Sequence, residues 1–109
     1  MLSRSRFYHS NSNHVHLVQF GSCLHAVCAS YEVALDHLHA RMRGIIEEKT
    51  WWQKQYPDPR FKFRRWIWGE DEENPREWIL YEITDQGVYP HGGNGVYNGR
   101  IGRCPVRSS

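Results

Sequence analysis

Between Phe61 and Thr84 the chain carries two runs in which aromatic or β-branched residues alternate with charges, Phe61 to Gly69 and Glu77 to Thr84. The acidic turn Glu70-Asp71-Glu72-Glu73-Asn74-Pro75 separates them. Period-two alternation of this kind suits a pleated surface with one side buried, so the stretch predicts an antiparallel hairpin. A sheet built on that hairpin must find a second layer to bury its apolar side.

The covering layer is legible upstream. Tyr31, Ala34, Leu35, Leu38, Met42, Ile45 and Trp52 recur at spacings of three, four or seven and predict one helix with a single apolar stripe. Ser30 is placed to cap it, since its hydroxyl can accept from an orphan amide of the first turn, and Glu32 and Asp36 put negative charge near the positive end of the dipole. Arg43 and Glu47 pair on the solvent side. Gly44 costs the helix interior up to about 1 kcal/mol and marks a close approach to the sheet or a slight bend. Pro57 and Pro59 end the helix.

A second hairpin precedes the helix. His14 to Phe20 and Cys23 to Cys28 alternate on either side of Gly21-Ser22, and glycine at the first central position accepts the positive φ of a type II′ turn. That turn pairs Phe20 with Cys23, Val18 with His25 and His16 with Val27. Val15, Leu17, Leu24, Ala26 and Cys28 then form the core face, and His16, Cys23 and His25 face outward. A competing reading starts one long helix at Ser22, because Leu24, Val27 and Cys28 also fit the helical stripe. At about 30 residues such a helix is long for a globular domain, which favours the hairpin.

The resulting fold class is α+β, an antiparallel sheet in ββαββ order with one long helix packed on one face. The 109 residues form a single domain, with a frayed N-terminus over about 1–12 and a Gly- and Arg-rich tail over about 85–109 that is mostly loop. Val88-Tyr89 or Val96-Tyr97 supplies at most a short edge strand. Fifteen aromatic rings, five of them Trp, let a core this small remove a large area from water.

Charge and cysteine usage exclude more than they assign. A formal charge of +2 does not by itself imply nucleic acid; Arg4, Arg6, Arg100, Arg103 and Arg107 cluster toward the ends and read first as solubilising tails. Three cysteines and no apolar leader predict a reduced, cytoplasmic protein. Cys23, His25, Cys28, His14 and His16 are zinc-type ligands by chemistry, but the hairpin divides them between two faces, so no metal site and no cofactor is expected. Gly92-Gly93-Asn94-Gly95 has the composition of a phosphate loop without a helix start behind it. No positioned nucleophile and base can be read, and the chain is expected not to be an enzyme.

The candidate site follows from the central hairpin. If Phe61, Phe63, Ile67, Ile79, Tyr81 and Ile83 lie under the helix, then Trp66, Trp68, Trp78 and Leu80 face away from it, beside Lys62 and Arg64 and next to Glu70, Asp71, Glu72 and Glu73. Either the C-terminal tail folds over these rings or a partner does. Tryptophan beside arginine is what protein interfaces concentrate, and the acidic turn repels phosphate, so a protein partner is favoured. The alternative is a small nucleic-acid-binding or regulatory protein using the arginine tails and the Lys62, Arg64 and Trp66 face.

In size, in its lack of catalytic motifs, in its compact sheet with one helix and in its aromatic and charged surface, the chain resembles the small inhibitors that phages and mobile elements encode against host defence, the anti-CRISPR proteins. The likeness is one of general character, with no shared motif and no residue carried over. It implies a stoichiometric inhibitor acting in the host cytoplasm, with a host protein or nucleoprotein complex as partner and the acidic turn set against a basic nucleic-acid channel.

Overall fold

The computed structural model describes residues 14–91 and 97–106. The elements are β1 (His14–Phe20), β2 (Cys23–Cys28), α1 (Tyr31–Gln55), β3 (Arg64–Glu70), β4 (Glu77–Thr84), β5 (Gly87–Pro90) and β6 (Asn98–Pro105). All strand pairs are antiparallel, in the order β2-β1-β6-β4-β3. The α+β class with a single helix therefore stands, but two strands follow the expected four.

The helix begins and ends where its flanking residues require. Ser30 is extended and its Oγ accepts from the Val33 amide at 3.2 Å. At the other end the Tyr56 amide donates to the Trp52 carbonyl at 2.8 Å, just before Pro57. Ala34, Leu38, Met42 and Ile45 are the buried stripe. Gly44 makes no close approach, since a Cβ there would meet nothing within 4 Å.

The Gly21-Ser22 hairpin also forms, with Gly21 at φ 63°. Its register holds only at the turn. Phe20 pairs with Cys23 and Gln19 with Leu24, but Val18 then pairs with Ala26 and His16 with Cys28, leaving His25 as the extra residue of a bulge. The core face is consequently His16, Val18, Phe20, Ala26 and Cys28, while Leu24 and Val27 lie exposed on the other side. The expected core roles of Val15, Leu17 and Leu24 are corrected accordingly.

The central hairpin is inverted relative to expectation in the same way. Trp66, Trp78 and Leu80 are 7%, 6% and 0% exposed and pack against α1, whereas Ile67 is 41% and Phe63 50% exposed. Both sides of β3 and β4 are apolar, so alternation by itself cannot choose between them. The helix stripe is built of Ala, Leu, Met and Ile, and placing indoles opposite it buries more area per position than placing isoleucines there. β3 starts at Arg64 rather than Phe61.

The largest departure is the C-terminal segment. β5 is the edge strand expected at Val88-Tyr89, pairing with Tyr81–Thr84. Asn98–Pro105, read as loop, is instead the central strand that joins the two hairpins: it pairs with β1 along seven residues and with β4 at Glu77, Trp78 and Ile79. Its Gly99 explains both the position and why the sequence does not read as a strand there. A Cβ at residue 99 would sit 2.9 Å from Phe20 Cε1 and 3.0 Å from Leu38 Cδ1, so the helix can descend onto the sheet only over a residue without a side chain. Ile101, 0% exposed, is the aliphatic anchor of the strand. The glycine run 92–95, the N-terminal segment 1–13 and Arg107 lie outside the described residues.

Candidate functional site

The expected site residues do not form one surface. Trp66 and Trp78 are core. Trp68 is half-buried, with His39 of α1 tilted over it at a centroid distance of 4.5 Å. Arg64 lies on the helix side as well, ion-paired with Glu82 and over the Trp66 ring at 5.1 Å. Among the described residues, α1 and not the C-terminal tail covers Trp66 and Trp78.

The acidic turn is a built structure. The Asp71 carboxylate accepts from the Glu73 amide at 3.1 Å and from Asn74 Nδ2 at 3.4 Å, and the Asp71 amide donates to the Glu77 carbonyl at 2.8 Å. Asp71 therefore holds the turn, leaving Glu70, Glu72 and Glu73 exposed at its surface. The turn sits at the start of α1: burial, followed by the charge of Glu70, raises the Tyr31 phenol, and the Arg76 guanidinium lies 4.8 Å over the same ring.

The opposite end of the molecule carries a feature that the sequence reading did not find. α1 continues beyond its last buried residue, Ile45, for ten further residues, about 15 Å. Trp52 lies on the apolar stripe, yet it is 50% exposed, and Trp51 and Tyr56 are 54% and 69% exposed. Trp51 meets Trp52 edge to face at 5.1 Å, and Trp52 stacks on Tyr56 at 5.2 Å with 20° between the rings.

Between this aromatic ladder and the sheet runs a groove of about 410 Å³ lined by Glu48, Lys49, Trp52, Gln53, Tyr56, Arg64, Trp66 and Tyr97. A smaller hollow of about 170 Å³ shares Gln53 and Arg64 with it and adds Lys54, Pro57, Asp58, Phe61, Lys62 and Phe63. The two form one trough lined by rings and cations, with Glu48 and Asp58 as the carboxylates in it; Asp58 is already held by Arg60.

The trough is fixed by specific contacts. Gln53 Nε2 donates to the Arg64 carbonyl at 3.0 Å, tying the helix to the start of β3. Lys49 Nζ lies 4.3 Å over Tyr97 and 5.5 Å over Trp66. It also lies 3.2 Å from His91 Nε2. An ammonium only donates, so Nε2 accepts and the imidazole proton sits on Nδ1, 4.0 Å from Glu82 Oε1. Burial and then the Lys49 charge hold the His91 pKa below its ordinary value, which keeps that ring neutral. None of the ion pairs among the described residues uses Lys49. Two buried polar atoms in the trough have no partner, the Trp66 Nε1 donor and the Gln53 Oε1 acceptor.

On the β1–β2 hairpin, Cys28 is buried, Cys23 is exposed, and His25 packs on Phe20 at 5.6 Å and faces His37 at 6.3 Å. Among the described residues no three His, Cys, Asp or Glu side chains converge as metal ligands. No helix among them is long and apolar enough to cross a membrane. Comparison with known proteins finds no matching family model, curated relative or solved structure.

Proposed function

We propose that this protein is a non-enzymatic single-stranded nucleic-acid-binding protein whose contact surface is the trough at the C-terminal end of α1. The observation that carries the reading is the interleaving of exposed or half-exposed rings, Trp52, Tyr56, Phe63 and Tyr97, with Lys49, Lys54, Lys62 and Arg64 along one continuous depression. Rings accept bases by stacking regardless of sequence, and the cations meet the phosphates between them.

The acidic turn, whose repulsion of phosphate favours a protein partner when the sequence is considered alone, is remote from the trough. Arg64 and Glu70 are the two ends of β3, six residues apart, or about 20 Å. That exceeds the screening length of about 8 Å at physiological salt, so the acidic cluster does not oppose phosphate binding in the trough.

Fluorescence anisotropy with a labelled oligothymidylate of about 12 nucleotides tests the proposal. Affinity falls with salt at a log–log slope of about −1.5 to −3, as expected for two to four phosphate contacts on a single strand. Trp52→Ala loses about 1 to 3 kcal/mol of binding, the worth of one stacked base. Absence of salt-sensitive binding to either DNA or RNA, or binding indifferent to both Trp52→Ala and Lys62→Glu, would refute it.

One observation favours a second reading, a protein-binding inhibitor of the anti-CRISPR type: Glu70, Glu72 and Glu73 are exposed on a turn already ordered by its own hydrogen bonds, a preformed surface for a basic partner. Charge reversal of Glu72 and Glu73 slows association on that reading, and leaves oligonucleotide binding unchanged on the first.

A further inference from the structure

The sheet has two faces, and only one is covered by α1. The other carries Leu17, Leu24, Val27, Ile67, Ile83 and Val88, of which Leu24, Val27, Ile67 and Val88 are 56%, 57%, 41% and 59% exposed. This is the more aliphatic of the two faces, and it carries Leu17, Leu24, Ile67 and Ile83, which the sequence alone assigns to the core. Isolated exposed aliphatics are ordinary, but these gather in two groups on one sheet face, on either side of Gln19, Arg100 and Glu77, and apolar area of that extent marks an interface. We propose that the open face is where a second copy of this chain packs, giving a homodimer with two sheets inside and a helix on each outer side. The proposal is independent of the nucleic-acid reading, because the trough lies at the end of α1, on the other side of the sheet.

Two observations favour a second copy over another occupant. The first is register. Gln19, Arg100 and Glu77 are successive cross-strand neighbours, and the apolar residues of β1 and β2 lie at one end and to one side of that row while those of β3, β4 and β5 extend to the other. The face is thus two apolar halves set diagonally about a polar row. A two-fold operation that lays one half over the other crosses the strands at near right angles, one of the two ways in which sheets pack.

The second is size. Five strands about 4.8 Å apart and some 20 to 27 Å long give roughly 500 Å² in projection. Side-chain relief raises the accessible area toward the roughly 800 Å² per partner of a stable interface.

Sedimentation velocity of the full chain from about 1 to 200 μM tests the proposal, a range that brackets a micromolar dimer of this interface size. The expected result is a monomer–dimer equilibrium that Ile67→Glu and Val27→Glu each weaken by at least about tenfold, since each buries a charge without a partner. Both positions are solvent-exposed in the monomer, and far-UV circular dichroism should be unchanged. Val33→Glu, at a 47% exposed position on α1, should leave the equilibrium as it was. A single species of monomer mass across the range overturns the proposal, as does a dimer indifferent to both sheet substitutions or one broken by Val33→Glu.

Discussion

Adjacent residues on β4 offer the sharpest test of which face the helix covers. Leu80 is 0% exposed beneath α1, and Ile79, one residue away, points to the opposite, open side and is only half-buried. Leu80→Ala removes a fully buried isobutyl group and leaves a void that close-packed neighbours such as Leu38 and Met42 fill only in part. Its cost is therefore the transfer term plus a cavity term, about 2.7 to 5 kcal/mol. Ile79→Ala on an uncovered face forfeits only the area already withdrawn from water and opens no enclosed cavity, about 1 kcal/mol. Urea unfolding followed by tryptophan fluorescence measures both, at protein concentrations well below micromolar so that self-association does not enter. With unchanged m-values the difference appears directly as a separation of midpoints. A more damaging Ile79→Ala, or equal costs at the two positions, would refute the burial of the Trp66, Trp78 and Leu80 face.

Two glycines should respond in opposite directions. Gly44→Ala, in open space within α1, should raise stability by up to about 1 kcal/mol in the same unfolding assay, whereas Gly99→Ala, pressed against Phe20 and Leu38, should lower it by about 1 to 3 kcal/mol. Asp58 accepts from Arg60 Nε at 3.0 and 3.1 Å and from Nη2 at 2.6 Å, and these hydrogen bonds, with that from the Arg60 amide, lower its pKa to about 2. Carboxyl NMR should show that titration, and Arg60→Ala should return it to the ordinary carboxylate range. His16 is held below its ordinary value of 6.5 by burial first and then by Arg76, Arg103 and His14. The unfolded chain therefore binds more protons than the fold as pH drops below about 6.5. Its contribution is complete above that pH and is lost as pH falls toward the lowered folded value; His16→Gln should flatten the fall in melting temperature between pH 7 and 5.

Local chemistry was enough to place the helix, the first turn and the strand β4. Ser30, the apolar stripe and Pro57 fix α1 because capping, periodicity and the missing proline amide all act within a few residues of chain. Gly21 fixes the first hairpin for the same reason, and Glu77–Thr84 is bounded by turn residues on both sides. The class, one helix on an antiparallel sheet, follows from those elements.

Three features were decided by tertiary structure alone. The choice of buried face in both hairpins was not available locally, since each strand is apolar on two sides and the bulge at His25 resets the register of β2 without any glycine or proline to announce it. The central strand β6 has poor strand propensity because its Gly99 serves the approach of Leu38 and Phe20 rather than the strand itself. The trough is not legible in the sequence because Trp52 has the correct helical phase for the core. Periodicity reports the direction in which a side chain points but not whether a sheet lies beneath it, and beyond Ile45 the covered part of the helix has ended.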